Sequence, residues 1–596
     1  MRTPKTAAGT AGSPAGGAST TDAAGADAPP DGALPPGAVV LPPGAVATAT
    51  QPGARPGSWR RRPGGWRADA APVLRRHWLA AALLLAGLVL RVLAQIAYRP
   101  ALLYIDTVKY LYNAWPGTDP VGYKIPLKFI LIFSNLNGVT VVQHLLGLAM
   151  AVTLYLVLLR RGCPRWLAAL AVAPVLLDAY QLQMEQTIMP DVWFEALIVA
   201  GLAALLWRPR PGLRAVVAAG LILGSSATLR QVGEILVLPA AVYVAIVAGG
   251  WRARAGHAAA LCAAFALPIG VYCGISLAQN GHFQLSHSGT SELYGRMAAD
   301  ADCATLKLPA YQRPLCPTPR QQALGPDGLE HSPASPLKDY AAPAGRRRSK
   351  VISSFNHQVL LQQPMRIVSG ISRDAVKLFA LTRNTSPGDT PISRWQFQDG
   401  YPTYGPTITV NREHVLVLGV QLTANGGINY VRALPASLGG KATVVRPLAV
   451  FLRSYQLHGG YTPGPLLALA AIAGLVGSAS LARRRRSAGA GPGSGAGPGA
   501  KQQRAARPEY QAALACFLVF STAVAVLLTS DLFEFSWRYQ LPALITLPPA
   551  GALGVAVIAA AVRTSRGGGT TPSAPLRREP RYRSRAAGRS TAPPAG

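Results

Sequence analysis

The sequence predicts an all-α polytopic membrane protein, with about ten transmembrane helices and one large extracytoplasmic loop region. Three observations predict it. Half of the 596 residues are apolar and only 14% are charged. The apolar residues gather into runs of about 17–25, the length that crosses a ~30 Å hydrocarbon core. The basic residues behind the formal net charge of +33 sit in short clusters beside those runs. Such placement sets membrane orientation; a nucleic-acid binder would gather its basic residues on one soluble face.

Residues 1–77 are read as a disordered, basic cytosolic tail. Through residue 70 they are mostly Ala, Gly, Pro, Thr and Ser, which bury too little apolar surface to offset chain entropy. No short basic segment followed by a cleavable apolar stretch is present, so the first span is expected to be an uncleaved anchor. Arg60, Arg61, Arg62, Arg67, Arg75 and Arg76 fix its leading end in the cytosol.

The N-terminal transmembrane module covers 78–278. Its spans are expected near Trp78–Tyr98, Val139–Leu159, Trp166–Tyr180 and Val192–Trp207, then a hairpin of two around 228–234, then Ala258–Leu277. Arg160, Arg161, Arg165, Arg208, Arg210, Arg214, Arg252 and Arg254 mark the inward ends. Residues 279–461 contain no apolar run long enough to span and are expected outside the membrane, with amphipathic helices near Val351–Leu361 and Met365–Leu381. Arg346, Arg347, Arg348 and Lys350 lie there, which is compatible because long translocated segments cross largely regardless of charge.

The C-terminal module covers 462–562. Its spans are Thr462–Ala482, Tyr510–Thr529 and Gln540–Val562, with a flexible cytosolic linker at 483–507 and a disordered basic tail at 563–596. Both termini are thereby cytosolic. Of six cysteines, Cys163, Cys262, Cys273 and Cys516 read as apolar filler. Cys303 and Cys316 flank a Pro-containing loop placed outside the cytosol, where a disulfide persists, and are expected to be bonded.

Chemistry concentrates in the outward connections. The first carries Asp106 and Lys109 in Tyr104-Ile105-Asp106-Thr107-Val108-Lys109-Tyr110, the second Glu185 and Asp191, the third Arg230 and Glu234, the last Asp531, Glu534 and Arg538. Ionisable groups at the membrane boundary are costly unless used or paired, so a set converging on one face is a functional-site candidate; ordinary solvated loops with structural ion pairs are the plainer account. Carboxylates can take a proton from a hydroxyl or bind a divalent cation, and arginine forks can hold a phosphate. A substrate apolar at one end and anionic at the other fits, and lipid-linked phosphosugars have that form. Asp119 precedes Pro120 and reads as a turn former or a second acid. His144 reads as a hydrogen-bonded helix residue, Asp178 as an interface or site residue, and Trp395, Phe397, Tyr401 and Tyr404 as a small core or a sugar platform.

The chain resembles the GT-C superfamily of membrane glycosyltransferases that use polyprenyl-phosphate sugars, especially the bacterial branch similar to protein mannosyltransferases and lipid A aminoarabinose transferases. Asp106 directly after the first span, Asp191 in Met189-Pro190-Asp191-Val192, Arg230 in Thr228-Leu229-Arg230-Gln231 and the Arg538-Tyr539-Gln540-Leu541-Pro542 element carry the resemblance. Its Arg/Ala/Gly/Pro-rich composition resembles that of actinobacterial proteins. The resemblance implies a GT-C-like fold and transfer of a hexose or pentose, with inversion by direct displacement, to an extracytoplasmic cell-envelope glycan, lipid or protein. It implies catalytic roles for Asp106 and Asp191 and donor binding by Arg230 and Arg538; the charged outer connections themselves add Glu185 as a third catalytic candidate and Lys109 and Tyr110 as donor-binding candidates. One Asp stands where many relatives pair acidic residues, so a divalent cation is left open and no other cofactor is expected. A non-enzymatic lipid or solute transporter is the alternative.

Overall fold

The computed structural model describes residues 72, 74–104, 106–111, 120–286, 288–402, 420–422, 428–430, 436–440, 442–489 and 508–566. All lie in one compact unit, Trp66–Gly596. Asp119, Tyr404, most of the expected N-terminal tail, residues 490–507 of the expected linker and residues 567–596 of the expected C-terminal tail fall outside the described residues.

The first span is α1 (Trp78–Ala97), which buries Gly87, Leu90, Arg91, Ala94 and Ala97 at helical three- and four-residue spacing. Its other faces leave Leu85, Leu88, Val89 and Val92 exposed, as suits hydrocarbon contact. Strand β1 (Tyr98–Arg99) follows, then α2 (Thr107–Leu111) and α3 (Lys124–Phe133) in the first connection. Helix α4 (Leu136–Arg160) crosses back. Next come α5 (Arg165–Leu177) and α6 (Ala179–Gln186), bent by 48° at Asp178. Helices α7 (Asp191–Leu206) and α8 (Leu213–Leu229), a 3₁₀ turn (Gln231–Leu236), α9 (Val237–Val247) and α10 (Trp251–Asn280) complete the N-terminal part.

The intervening region holds α11 (Gly289–Asp300), three short helices α12 (Pro319–Gln322), α13 (Gly325–His331) and α14 (Pro336–Asp339), and the pair α15 (Arg348–Gln362) and α16 (Pro364–Lys377). It has a core of its own around Tyr294, Met297, Leu315, Leu329, Phe355 and Ile367. Cys303 and Cys316 are disulfide-bonded across the edge of that core. Strands β2 (Val420–Leu422) and β3 (Ile428–Tyr430) pair antiparallel, and β4 (Thr443–Val444) pairs antiparallel with β1. Amphipathic α17 (Arg446–Leu457) then packs on α1, and α18 (Gly464–Gly489), α19 (Pro508–Asp531) and α20 (Leu541–Arg566) close the bundle. Gly477 lets α18 and α20 touch: a β-carbon there would stand 2.6 Å from the α-carbon of Gly554.

Among the described residues six helices are long and apolar enough to cross a membrane, or seven counting α5 and α6 as one broken span. Helices stand at the other expected span positions but are shorter, Leu213–Leu229 and Gln231–Val247 among them. The second connection differs from its expectation as a polar outer loop. Residues 179–186 are a helix whose every residue is buried, Gln181, Gln183, Glu185 and Gln186 included. Burial is tolerated because much of that polarity is matched: Gln143 Nε2 donates to the carbonyls of Glu185 and Thr187 (both 2.8 Å), and Gln186 Nε2 to that of Tyr98 (2.8 Å).

The bundle has two unlike ends. At one, buried Arg161 after α4 donates to the carbonyls of Leu206 (2.8 Å from Nε) and Arg208 (2.7 Å) and to Gln511 of α19 (2.9 Å). At the other lie the first, second, third and last connections.

Candidate active site

Three of these connections are stitched together at that second end before any charge is placed. The Leu102 N–H donates to the Gln186 carbonyl (2.9 Å), and the Ile188 N–H to the Leu102 carbonyl (3.0 Å). Thr107 Oγ1 donates to the Ile188 carbonyl (3.1 Å), and the Gly122 N–H to that of Thr228 (2.8 Å). The first connection is thus pinned to the second and third by backbone bonds, and Asp106 is carried to the start of α7.

Helix ends then favour the charges. Asp191 opens α7, where unpaired amide N–H groups and the helix dipole suit a carboxylate; Arg230 follows the last residue of α8, where unpaired carbonyls and the dipole suit a cation. Arg538 sits in the turn before α20 and joins the set. Its Nε donates to both Asp191 oxygens (3.0 and 3.2 Å) and its Nη1 to Asp106 Oδ2 (3.1 Å). Arg230 Nη1 pairs with the same Asp191 carboxylate, and Lys109 Nζ lies 3.7 Å from Asp106 Oδ1. Asp191 and Arg538 are nearly fully buried, whereas the Asp106 side chain keeps 28% of its surface exposed, so the cluster opens outward at Asp106.

Aromatic rings line it. The Arg230 guanidinium lies 4.5 Å from the Tyr539 ring centre, and that of Arg538 lies 5.2 Å from Tyr539 and 5.4 Å from Trp395. Trp395 is held by its indole N–H on Ser536 Oγ (3.0 Å) and by Tyr104, 4.8 Å away, whose hydroxyl accepts from Arg394 (3.3 Å). Tyr110 is buried edge-on against Tyr123 at 5.2 Å with Lys109 above it.

Burial by itself would raise the Asp106 carboxyl, but the Lys109 ammonium and then the Arg538 guanidinium outweigh it and hold the group at about 2. Asp106 is therefore an anion throughout the physiological range. Glu534, four residues before Arg538, is pushed up to about 8, first by burial and then by the neighbouring Asp327 carboxylate. Three cations, Lys109, Arg230 and Arg538, thus face two carboxylates, Asp106 and Asp191, a balance that suits an incoming anion. Among the described residues no three His, Cys, Asp or Glu side chains gather as metal ligands.

Of the residues singled out from the sequence, Asp106, Asp191, Arg230, Arg538 and Lys109 meet here, with Tyr110 packed behind Lys109. Glu185 does not. It is fully buried within the bundle, where Oε1 accepts from Arg91 Nη2 (2.7 Å) and Oε2 lies 3.0 Å from His144 Nδ1. Asp178 also stands apart, capping α6 through the Tyr180 N–H (3.0 Å) and pairing with buried Arg383 (2.9 Å). Asp531 is buried and accepts from Gln540 (2.8 Å). Sequence reasoning missed Trp395 as the wall behind Arg538, and it missed Arg91, although a lone arginine in the middle of an apolar run was a visible signal.

No protein-family model matches the chain, and no curated protein does. A search of solved structures matches an S. cerevisiae protein O-mannosyltransferase, described as the Pmt1-Pmt2 complex bound to the sugar donor. The identity is 15% and the TM-score 0.30, over 37% of this chain and 36% of that one. The match therefore spans little more than a third of either protein, a likeness too slight to carry an argument.

Proposed function

We propose that the protein is an integral membrane glycosyltransferase that moves a sugar from a polyprenyl-phosphate donor to an extracytoplasmic cell-envelope acceptor. The observation that carries the reading is Arg538, one guanidinium bridging Asp106 and Asp191 at the membrane-end mouth of the bundle. A donor phosphate competes for that guanidinium and for Arg230, both fork-shaped donors suited to phosphate oxygens. Displacing Asp106 from Arg538 removes one of the charges that depress its affinity for a proton, so the carboxylate becomes a better base as the donor binds.

The step then balances. An acceptor hydroxyl attacks the anomeric carbon and gives its proton to Asp106. The bond from that carbon to the bridging phosphate oxygen breaks, and polyprenyl phosphate departs with the electron pair. Attack opposite the leaving group inverts the anomeric centre. Charge growing on the bridging oxygen is met by Arg230 and Arg538 in a partly buried setting, where fixed donors act most strongly. Asp191, bonded by both arginines, fixes their orientation.

One observation favours the rival, a lipid or solute transporter: the broken α5–α6 helix lies beside the buried Arg91–Glu185–His144 group, and transporters use broken helices and mid-membrane charge. Purified protein in nanodiscs, given a radiolabelled polyprenyl-phosphate sugar, tests both. The transferase reading expects labelled product that Asp106→Asn abolishes. Equal transfer by that variant removes Asp106 from its role, and donor translocation without product supports the transporter.

A further inference from the structure

We propose that α16, with the end of α15 and the residues after α16, is an interfacial membrane-seated surface whose occupant is bilayer lipid, in the leaflet at the Asp106 end of the bundle. The proposal does not depend on which reaction the protein catalyses. Helix α16 is amphipathic, with one face packed and the other open. Ile367, Gly370, Asp374 and Ala375 are buried. Asp374 pairs with Arg296 of α11 and with Lys377 (2.7 Å), and any β-carbon at Gly370 would collide with the Asp300 carboxylate. That face is fastened to the intervening region and cannot roll.

The other face is open, its exposed apolar residues interspersed with Ser369 and Ser372. Met365 is 74% exposed and Val376 63%, with Val368, Leu360, Leu361 and Leu381 beside them. Met365, Val368, Ser372 and Val376 follow helical spacing, so they form a single stripe. Arg366 and Arg373 border it along one edge, their side chains 53% and 68% exposed while paired at 3.3 Å with Asp302 and Asp300. An apolar stripe bordered by long cations is the form of a helix lying at the headgroup boundary, with side chains that reach phosphates while their stems stay in apolar surroundings.

Position selects lipid over a soluble partner or a second copy. The C-terminal end of α16 sits on the entrance of a span: Lys377 lies 4.5 Å from the Phe535 ring centre just beyond α19, and the Phe379 and Ala380 backbone rests against Gly464, where α18 begins. From there α18 exposes Leu466, Leu469 and Ile472. The end of α16 thus joins the start of a span whose exposed apolar residues suit hydrocarbon.

The test uses the full chain in nanodiscs of phosphatidylethanolamine and phosphatidylglycerol, in a Cys262→Ser background because Cys262 is the exposed free thiol among the described residues. Spin labels are placed singly through Met365→Cys, Val368→Cys and Val376→Cys, with Lys350→Cys at the far end of α15 as a solvent control. If the surface is seated in lipid, the three α16 labels collide more with oxygen than with a water-soluble nickel chelate, and the control shows the reverse. Chelate-dominated collisions at all three would overturn the proposal. So would shielding from both reagents, which with spin–spin broadening would assign the face to a second copy and without it to protein packing.

Discussion

Arg538 is the residue whose geometry most constrains the site. Lysine offers one ammonium where arginine spans two carboxylates, so Arg538→Lys is expected to lower transfer on the order of 10²-fold, the scale of losing one fixed donor. Initial rates with a labelled donor measure it, and an unchanged rate would show that the bridge is dispensable. The pH behaviour separates two carboxyls. Asp106 is held at about 2, below the ~3.9 of an unfolded chain, so its stabilising contribution is complete above about pH 4 and is lost as pH falls toward 2. Glu534, at about 8, has the opposite sign: the unfolded chain ionises near pH ~4.3 while the folded one stays neutral, so stability declines as pH rises from there to about 8. Melting temperature against pH should therefore flatten across that window in Glu534→Gln. Asp106, Asp191, Arg230 and Arg538 were legible in the sequence because each stands beside an apolar run, where a charge has few other uses. Glu185 sits beside such a run too, and reading it as outward failed because its partner Arg91 lies far away in sequence.

At the scale of elements, the break between α5 and α6 was invisible to hydropathy. Pro174 leaves the amide ladder one donor short, and Asp178 turns its extended backbone into a new N-cap, so the chain re-enters the bundle as α6. A sequence window reads the glutamines that follow as loop, because their partners on β1, α4 and α7 are distant in the chain; Gln181, for one, donates to Glu195 at 2.7 Å. Asp178 also accepts from the Thr462 N–H (2.7 Å), which ties α6 to the entrance of α18. Asp178→Ala is expected to destabilise by ~3–5 kcal/mol, since it leaves Arg383 buried without a counter-charge. Asp178→Asn, which keeps the cap but not the charge, should fall between; thermal unfolding in detergent orders the three. The disulfide belongs to this scale as well. It closes a loop of 13-residue separation, for which chain entropy predicts about 3 kcal/mol, so Cys303→Ala/Cys316→Ala should be cleaved faster by protease within 289–377 while the spans remain protected.

For the molecule as a whole, direction matters more than the number of spans. Arg161 gathers the ends of α4 and α7 with the start of α19, and Arg160 stacks 4.0 Å from the Trp207 ring at the same place. The connections that supply Asp106, Asp191, Arg230 and Arg538 all lie at the opposite end. Hydropathy and charge made this two-ended plan readable, since both depend on local composition. The closing of four connections around one guanidinium was not readable, because it depends on backbone bonds such as Leu102 to Gln186 that no pattern announces. Positive-inside placement predicts Arg160 and Arg161 in the cytosol and the Arg538 cluster outside. Two single cysteines in a Cys262→Ser background decide it in intact cells: Lys350→Cys on α15 should react with a membrane-impermeant maleimide before lysis, and Arg210→Cys, between α7 and α8, only after it. The reverse order would place the Asp106 cluster on the cytosolic face. An envelope acceptor would then be out of reach, and the same ring of charges would have to serve a substrate made inside the cell.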